Sequence, residues 1–181
     1  MSAVTIYGQV SVSLALGAGL SYLPLPKPRL CGLVAAAAAS LTLAPALHGL
    51  FGSLSFTLTQ IALLRLLGLD IVIVTRRSTA APFVAVAAIF YASALGIGPF
   101  DPFDLGYRST LVLLLIPIGP LLAWRGEHVL LAIIGFDLLA CGLGLFANLW
   151  SALLDPILVV VAAVRLFWPN ARAGADVASP R

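Results

Sequence analysis

A carboxylate, a thiol and an amide recur at helical spacing in one long apolar segment. Asp137, Cys141, Gly144 and Asn148 stand at i, i+4, i+7 and i+11, which predicts that they line one face of a helix. Lipid penalises a buried carboxylate and amide, so this face is expected to look into a bundle of helices. Such a stripe suits the passage of a proton or cation along a polar pathway. The alternative is a packing stripe in which Asp137 is paired or protonated.

An arginine stands near the middle of another apolar segment, where a charge is costly. We predict that Arg65 forms an ion pair with Asp137, the one carboxylate expected at a similar depth. In the alternative interpretation Arg65 extends toward the headgroup region, which requires that its helix end near Gly68.

The segment that holds Arg65 also carries a second polar stripe, formed by Ser55, Thr59 and Asp70. We interpret the two stripes and the arginine as one intramembrane polar site. Its predicted members are Arg65, Asp137, Cys141, Asn148, Ser55, Thr59 and Asp70.

Several catalytic and cofactor-binding chemistries lack the residues that they need. His48 and His128, the two histidines, fall on opposite faces of the predicted membrane, which excludes a bis-histidine haem. Lys27 is the single lysine and stands in a loop, so no retinal Schiff base can form within a helix. Phosphate-binding, nucleophile-elbow and zinc-protease motifs are absent. We therefore predict no catalytic residue, metal or cofactor, and an intramembrane enzyme has the least support.

The elements that must position the polar residues have a composition suited to lipid. The mean hydropathy is +1.11, and 9% of residues are charged, against about a quarter in soluble domains. The basic residues stand singly or in pairs between apolar runs, as in loops that orient membrane helices. This pattern predicts an all-α, polytopic integral membrane bundle whose partner is the lipid bilayer, and it argues against nucleic-acid binding.

Seven apolar runs approach the length of about 20 residues that a helix needs to cross a bilayer. The runs cover residues 4–23, 30–50, 54–74, 81–98, 109–124, 129–149 and 151–168. Pro117 and Pro120 predict a kink in the fifth run, and Asp155 and Pro156 predict a capped helix start in the seventh. Six crossings result if the first or the seventh run does not span.

The basic residues orient these crossings with the N-terminus outside and the C-terminus in the cytoplasm. Arg108 is the one base assigned to the outer side, together with Asp101 and Asp104, which are expected to cap a turn. The cytoplasmic ends receive Lys27, Arg29, Arg76, Arg77, Arg125, Arg165, Arg172 and Arg181.

The predicted location is the bacterial cytoplasmic (inner) membrane. The first run lacks the basic n-region of a cleaved signal peptide and is expected to remain as a helix. Residues 1–168 form the predicted transmembrane domain, and residues 169–181 a polar, disordered cytoplasmic tail.

Small residues recur every four positions on two runs, and such ridges let a neighbouring helix approach closely. The ridges are Gly32, Ala36 and Ser40, and Ala88, Ala92 and Gly96. They predict contact with a membrane-protein partner or a second copy of the chain.

The polar stripes favour a small transporter or permease-like bundle with its site around Asp137 and Arg65. The alternative is a non-catalytic membrane subunit or assembly partner, for which the small-residue ridges are the binding faces. Water access to Cys141 would favour the transporter, and a partner of fixed stoichiometry would favour the subunit.

Overall fold

The chain folds into α-helices joined by short turns, so the predicted all-α class is confirmed. The computed structural model describes residues 2–69, 77–97 and 101–167. Asp70 and the predicted tail therefore lie outside the described residues. The described helices are α1 (Ala3–Leu20), α2 (Pro28–Leu41), α3 (Leu43–Phe51), α4 (Phe56–Leu67), α5 (Arg77–Ala94), the 3-10 helix η1 (Pro102–Tyr107), α6 (Ser109–Leu115), α7 (Ile118–Trp124), α8 (His128–Gly142), α9 (Leu149–Leu153) and α10 (Pro156–Phe167).

Most of these helices are shorter than the predicted runs. One of them, α1 with 18 residues, is long and apolar enough to cross a bilayer alone. Helices α2 and α3 are long and apolar enough to cross only if they are taken together, and the angle between them is 70°. The second, fifth and seventh runs are each divided into two helices, so the described helices do not amount to seven full-length spans.

Prolines and glycines account for the interruptions. Thr42, between α2 and α3, has a non-helical backbone (φ −120°, ψ −72°). Pro45 follows in the first turn of α3, where its ring would crowd the carbonyl four residues back if the helix continued. The predicted kink of the fifth run is a break between α6 and α7 at Pro117. Gly68 (φ +92°) caps α4, and its left-handed conformation favours glycine.

Helix α4 is the central element of the fold. It packs against α1, α2, α8 and α9. Its buried apolar side chains are Leu58, Ile61, Ala62 and Leu66. Val12 of α1, Ile133 of α8 and Leu158 of α10 complete the core around it. The buried polar residues of this segment, Ser55, Thr57 and Thr59, lie at its N-terminal end.

Helices α1 and α2 approach each other through glycine. A Cβ on Gly17 would overlap the carbonyl oxygen of Gly32 and the Cβ of Ala36. A Cβ on Gly32 would lie 2.6 Å from the Gly17 carbonyl oxygen and 2.8 Å from the Cδ2 of Leu66. Gly32 and Ala36, two of the three residues in the first predicted ridge with Ser40, therefore pack inside the chain and are not open to a partner.

The second predicted ridge is open to its surroundings but shorter than expected. Ala88 is exposed and Ala92 is half-buried on α5. Gly96 lies beyond the end of α5 and has a positive φ of 86°. The ridge is thus reduced to two residues on one helix.

Gly17→Ala should destabilise the fold by about 1–3 kcal/mol, because the added methyl meets backbone that cannot move aside. Gly19→Ala is the matched control on the same helix, since its Cβ would meet nothing within 4 Å. The measurement is the unfolding midpoint of the purified protein. Equal midpoints for the two variants would contradict the close packing at Gly17.

Candidate functional site

Two buried carboxylates from distant parts of the chain converge on the N-terminal end of α4. Asp137 on α8 is 0% exposed, and Asp155, just before α10, is 5% exposed. Helix α4 has no acidic residue in its own first turn. The negative groups that suit the positive end of its dipole therefore come from elsewhere. The two acids and the polar residues around them form what we call the α4 polar cluster. Its members are Tyr7, Ser55, Thr57, Thr59, Gln60, Asp137 and Asp155.

Neutral donors on α4 hold both oxygens of Asp137. The Thr57 hydroxyl donates to Oδ2 at 2.6 Å, a length typical of an O–H group bound to a carboxylate. The Gln60 amide Nε2 donates to Oδ1 at 2.8 Å and also to the carbonyl of Ile133 at 3.2 Å. Within the described residues, Asp137 forms no salt bridge with a cationic side chain.

Asp155 joins the N-termini of two helices. Its Oδ1 accepts a hydrogen bond from the Ile157 backbone N–H at 2.8 Å, with Pro156 opening α10, so the predicted helix start is confirmed. Its Oδ2 accepts from the backbone N–H of Ser55 at 2.9 Å. Ser55 in turn caps α4 by accepting from the Leu58 N–H at 3.1 Å. One carboxylate thus fixes the start of α4 against the start of α10.

Two hydroxyl groups extend the cluster toward α1. The Tyr7 hydroxyl lies 2.9 Å from the Leu54 carbonyl oxygen and 2.9 Å from Thr59 Oγ1. Thr59 Oγ1 also lies 2.9 Å from the Ser55 carbonyl oxygen. Each hydroxyl has one proton to donate, so the direction of the Tyr7–Thr59 bond can reverse. A reversal of this bond exchanges the donor and the acceptor at the N-terminal end of α4.

Apolar rings surround the Tyr7 end of the cluster. The ring centre of Tyr7 lies 5.7 Å from that of Phe56 and 5.3 Å from that of Phe146. The Phe146 ring meets Tyr7 edge-on, at an interplanar angle of 79°. The Tyr7 hydroxyl therefore lies in surroundings of low dielectric constant, where hydrogen bonds are stronger than in water.

A groove lies between α4 and α8, beside Gln60. It has a volume of about 490 Å³ and is lined mainly by apolar side chains, with Gln60 and His128 as its polar members. Gln60 lines the groove and at the same time donates to Asp137. Gln60 is therefore the contact between the groove and the buried carboxylate.

The chemistry available to the cluster is proton exchange. Carboxylates and hydroxyls accept and donate protons, and the two acids here are held by neutral donors. Across the ranges 2–69, 77–97 and 101–167, no group of three or more His, Cys, Asp or Glu residues is close enough to hold a metal ion.

The predicted ion pair between Arg65 and Asp137 is wrong, because the two side chains bind different residues. Arg65 lies in the last turn of α4, where its Nε donates to Ser21 Oγ at 3.3 Å and its Nη2 to the Ser21 carbonyl at 3.5 Å. Its guanidinium carbon is 4.4 Å from the centre of the Tyr22 ring. Since Ser21 caps the C-terminus of α1, the arginine meets the negative end of that helix.

Helix α4 ends at Leu67 with Gly68 as its cap, which is the helix end that the alternative interpretation of Arg65 required. The arginine therefore lies toward the end of α4 opposite to the polar cluster. Thr57 and Gln60, which hold Asp137, lie in the first two turns of the helix.

The predicted stripe from Asp137 to Asn148 does not follow one helix. Helix α8 ends at Gly142, so Asp137 and Cys141 are the members that it carries. Gly144 has a positive φ of 75° and turns the chain away from the helix axis. Cys141 is half-buried in an apolar cluster near Leu138, and Asn148 caps α9.

Asn148 positions the η1 segment instead of extending a pathway. Its Oδ1 accepts from the Trp150 backbone N–H at 2.9 Å, and its Nδ2 donates to the Phe103 carbonyl at 3.0 Å. The Trp150 indole donates to the Pro102 carbonyl at 2.8 Å. Asp101 Oδ1 accepts from the Phe103 N–H at 2.9 Å, which confirms the predicted cap of this turn.

Of the seven predicted site residues, Ser55, Thr59 and Asp137 come together in the cluster. The sequence analysis missed Tyr7, Thr57 and Gln60, and it predicted Asp155 only as a helix cap. Thr57 and Gln60 are polar residues three positions apart in an apolar segment, and this spacing was the available signal.

No protein-family model, curated protein or solved structure matches this chain.

Gln60 and Asp137 should show an energetic coupling of about 1 kcal/mol in a double-mutant cycle, because each side chain loses the hydrogen bond between them when the other is removed. The changes are Gln60→Met, Asp137→Leu and their combination, and the measurement is the free energy of unfolding. The matched cycle with Arg65→Met should give a coupling below about 0.5 kcal/mol. A larger coupling of Asp137 with Arg65 than with Gln60 would support the predicted Arg65–Asp137 ion pair and contradict the structure.

Proposed function

We propose that this chain is a polytopic integral membrane protein with its N-terminus outside and its C-terminus in the cytoplasm of a bacterium. Large apolar side chains are exposed on every described helix except α9, and Leu41 and Trp124 are each 85% exposed. Monomeric soluble proteins rarely expose contiguous apolar surface beyond a few hundred Å². Lipid is the environment that suits such a surface.

In this proposal the ten α-helices of the described residues form seven crossings, three of which consist of two helices each. The pairs α2–α3, α6–α7 and α9–α10 each make one crossing with a break, and the remaining helices cross singly. Broken crossings are tolerated in membranes where the freed backbone groups find partners within the protein. Asp155 provides such a partner at the break between α9 and α10, because it accepts a hydrogen bond from the Ile157 N–H. A chain in which the short α9–α10 pair does not span would have six crossings.

The first helix belongs to the folded bundle in this proposal. Val12 of α1 lies in the core with α4, and Gly17 contacts α2. The Tyr7 hydroxyl is part of the polar cluster. Removal of α1 as a signal sequence would expose all of these contacts.

We infer that the bundle is a small proton-coupled transporter whose polar site is the α4 polar cluster. Asp137 carries this inference, because it is fully buried, is held by neutral donors, and accepts a hydrogen bond from Gln60, which lines the α4–α8 groove. Ionisable groups inside a membrane bundle are costly and commonly mark proton or ion pathways. Arg65 belongs to a different part of the molecule and has no role in this site.

The helix starts around Asp155 support the same inference. Transporters place binding sites where discontinuous helices begin, because the free N–H groups of a half-helix attract negative charge. Here α4 and α10 both begin at one carboxylate.

The contacts of Asp137 suggest how its charge could act on the groove. A protonated carboxyl group donates one hydrogen bond, whereas the ionised group accepts only. When Asp137 is protonated and donates, Gln60 can turn its amide oxygen toward Asp137 and its amide nitrogen away. A side chain that lines the groove would thus change its exposed hydrogen-bonding atom when Asp137 takes up a proton.

Asp137→Asn should reduce potential-driven proton entry into proteoliposomes by on the order of 100-fold, because the amide cannot take up the proton. A pH-sensitive dye inside the vesicles measures the entry, and a potassium diffusion potential drives it. Asp104→Asn is the matched control, since that carboxylate is exposed and pairs with Arg108 at 2.8 Å.

Proton entry no faster than in protein-free vesicles, or equal entry for wild type and Asp137→Asn, would refute a proton pathway through Asp137.

A non-catalytic membrane subunit is the second candidate, and an observation on α5 favours it. Val86 and Ile89 are 55% and 68% exposed beside the open Ala88. Co-purification of a membrane protein at fixed stoichiometry, lost in Ala88→Trp, would support the subunit.

A further inference from the structure

A second groove, between α1, α4 and α10, ends at a guanidinium group. Its volume is about 350 Å³, within the size range of ligand-binding clefts. Small and aliphatic side chains form its walls, among them Ala18 of α1, Ala62 of α4 and Val160 of α10. Arg65 and Tyr22 also line it, and they bring the charge and the aromatic ring to an otherwise aliphatic surface.

The groove has the shape of an elongated apolar channel on the side of the bundle. Its wall on α10 extends from Ile157 to Val164, which is about 10 Å along the helix axis. Ile157 and Val160 are 49% and 60% exposed, so the groove opens toward the surroundings of the molecule. A flexible hydrocarbon chain fits such a surface better than a rigid polar solute does.

Within the described part of the chain, three cationic side chains lie at or near the Arg65 end of this groove. Ser21 and Tyr22 hold the Arg65 guanidinium there through hydrogen bonds of 3.3 and 3.5 Å and a ring contact. The Arg29 guanidinium lies against Gly68, the residue that caps α4 three positions after Arg65. Lys27 is exposed in the same connection between α1 and α2.

We propose that this groove binds one anionic phospholipid, with an acyl chain along α10 and the phosphate at Arg65. A guanidinium binds phosphate oxygens through charge-assisted hydrogen bonds, often two in parallel. The aliphatic walls add apolar contact for a ligand that carries a hydrocarbon chain, which an inorganic anion lacks. The site requires the membrane placement proposed above but not the transport activity, and its phosphate end at Arg65 lies toward the end of α4 opposite to the α4 polar cluster.

The proposal is tested by native mass spectrometry of the detergent-purified full chain with phosphatidylglycerol and phosphatidylcholine of identical acyl chains. The wild type should retain one phosphatidylglycerol about tenfold more tightly than phosphatidylcholine, since only the first leaves a net negative headgroup for the cations. Arg65→Gln should remove this preference, and Arg65→Lys should keep part of it.

A second variant tests the acyl-chain part of the site without touching a charge. A Cβ on Gly19 would meet nothing within 4 Å, and Gly19 lines the groove, so Gly19→Leu should fill the groove and abolish retention of both lipids. Gly135→Leu on α8, where a Cβ also meets open space, is the matched control and should bind as the wild type does.

Equal retention of the two lipids by the wild type would overturn the headgroup assignment. Retention by Gly19→Leu equal to that of Gly135→Leu would overturn the groove assignment, even if Arg65→Gln fails to fold. Because lipid binding is measured without vesicles or gradients, its loss would leave the proton-entry result intact, and the converse also holds.

Discussion

The buried N-terminal turn of α4 imposes the requirement on which the rest of the structure depends. Its N–H groups have no partner within the helix and must find acceptors in the interior of the protein. Ser55 supplies one acceptor through its own hydroxyl, while Asp155 accepts the N–H of Ser55 from 100 residues away. Asp137 then takes the side-chain donors of Thr57 and Gln60. The central helix is therefore complete only when α8 and α10 are docked, and the groups with acid–base chemistry are also those that hold the fold together.

Several charges of the described residues lie at the ends of helices. Two acids lie at the N-terminal end of α4, and Arg65 lies in its last turn at the capped C-terminus of α1. Arg29 in turn lies against the cap of α4. Each charge thus faces the partial charge of opposite sign at the end of a helix. This arrangement separates a carboxylate-rich region from a cationic region along one helix of 12 residues.

The features that local chemistry determines were accessible from the sequence. The all-α class, the start of α10 at Asp155 and Pro156, the cap at Asp101 and the interruption at Pro117 all rest on residues within a few positions of one another. The pair of Arg65 and Asp137 was wrong because it depended on depth in the bundle, which the early end of α4 at Gly68 changed.

The partners of Asp137 depended on long-range docking. Thr57 and Gln60 precede Asp137 by 80 and 77 residues, and hydrophobic periodicity does not say which apolar runs become neighbours. The prediction that Asp137 and Asn148 share one helix face was wrong for a local reason. The left-handed turn at Gly144 interrupts the helix, so the spacing of 11 residues no longer places both side chains on one face. The ridge at Gly32 was recognised as a packing surface, but its partner proved to be α1 of the same chain.

The shortness of α4 has a consequence for the helices around it. Twelve residues of helix extend about 18 Å, whereas the hydrocarbon core of a typical bilayer is about 30 Å thick. In the proposed membrane placement, the polar groups at the two ends of α4 sit at depths that methylene groups would otherwise occupy. Asp137 and Asp155 are 0% and 5% exposed, so the helices around α4, and not the acyl chains, have to accommodate these carboxylates. Displacement of one surrounding helix would bring a carboxylate into contact with hydrocarbon, where an ionised group is costly.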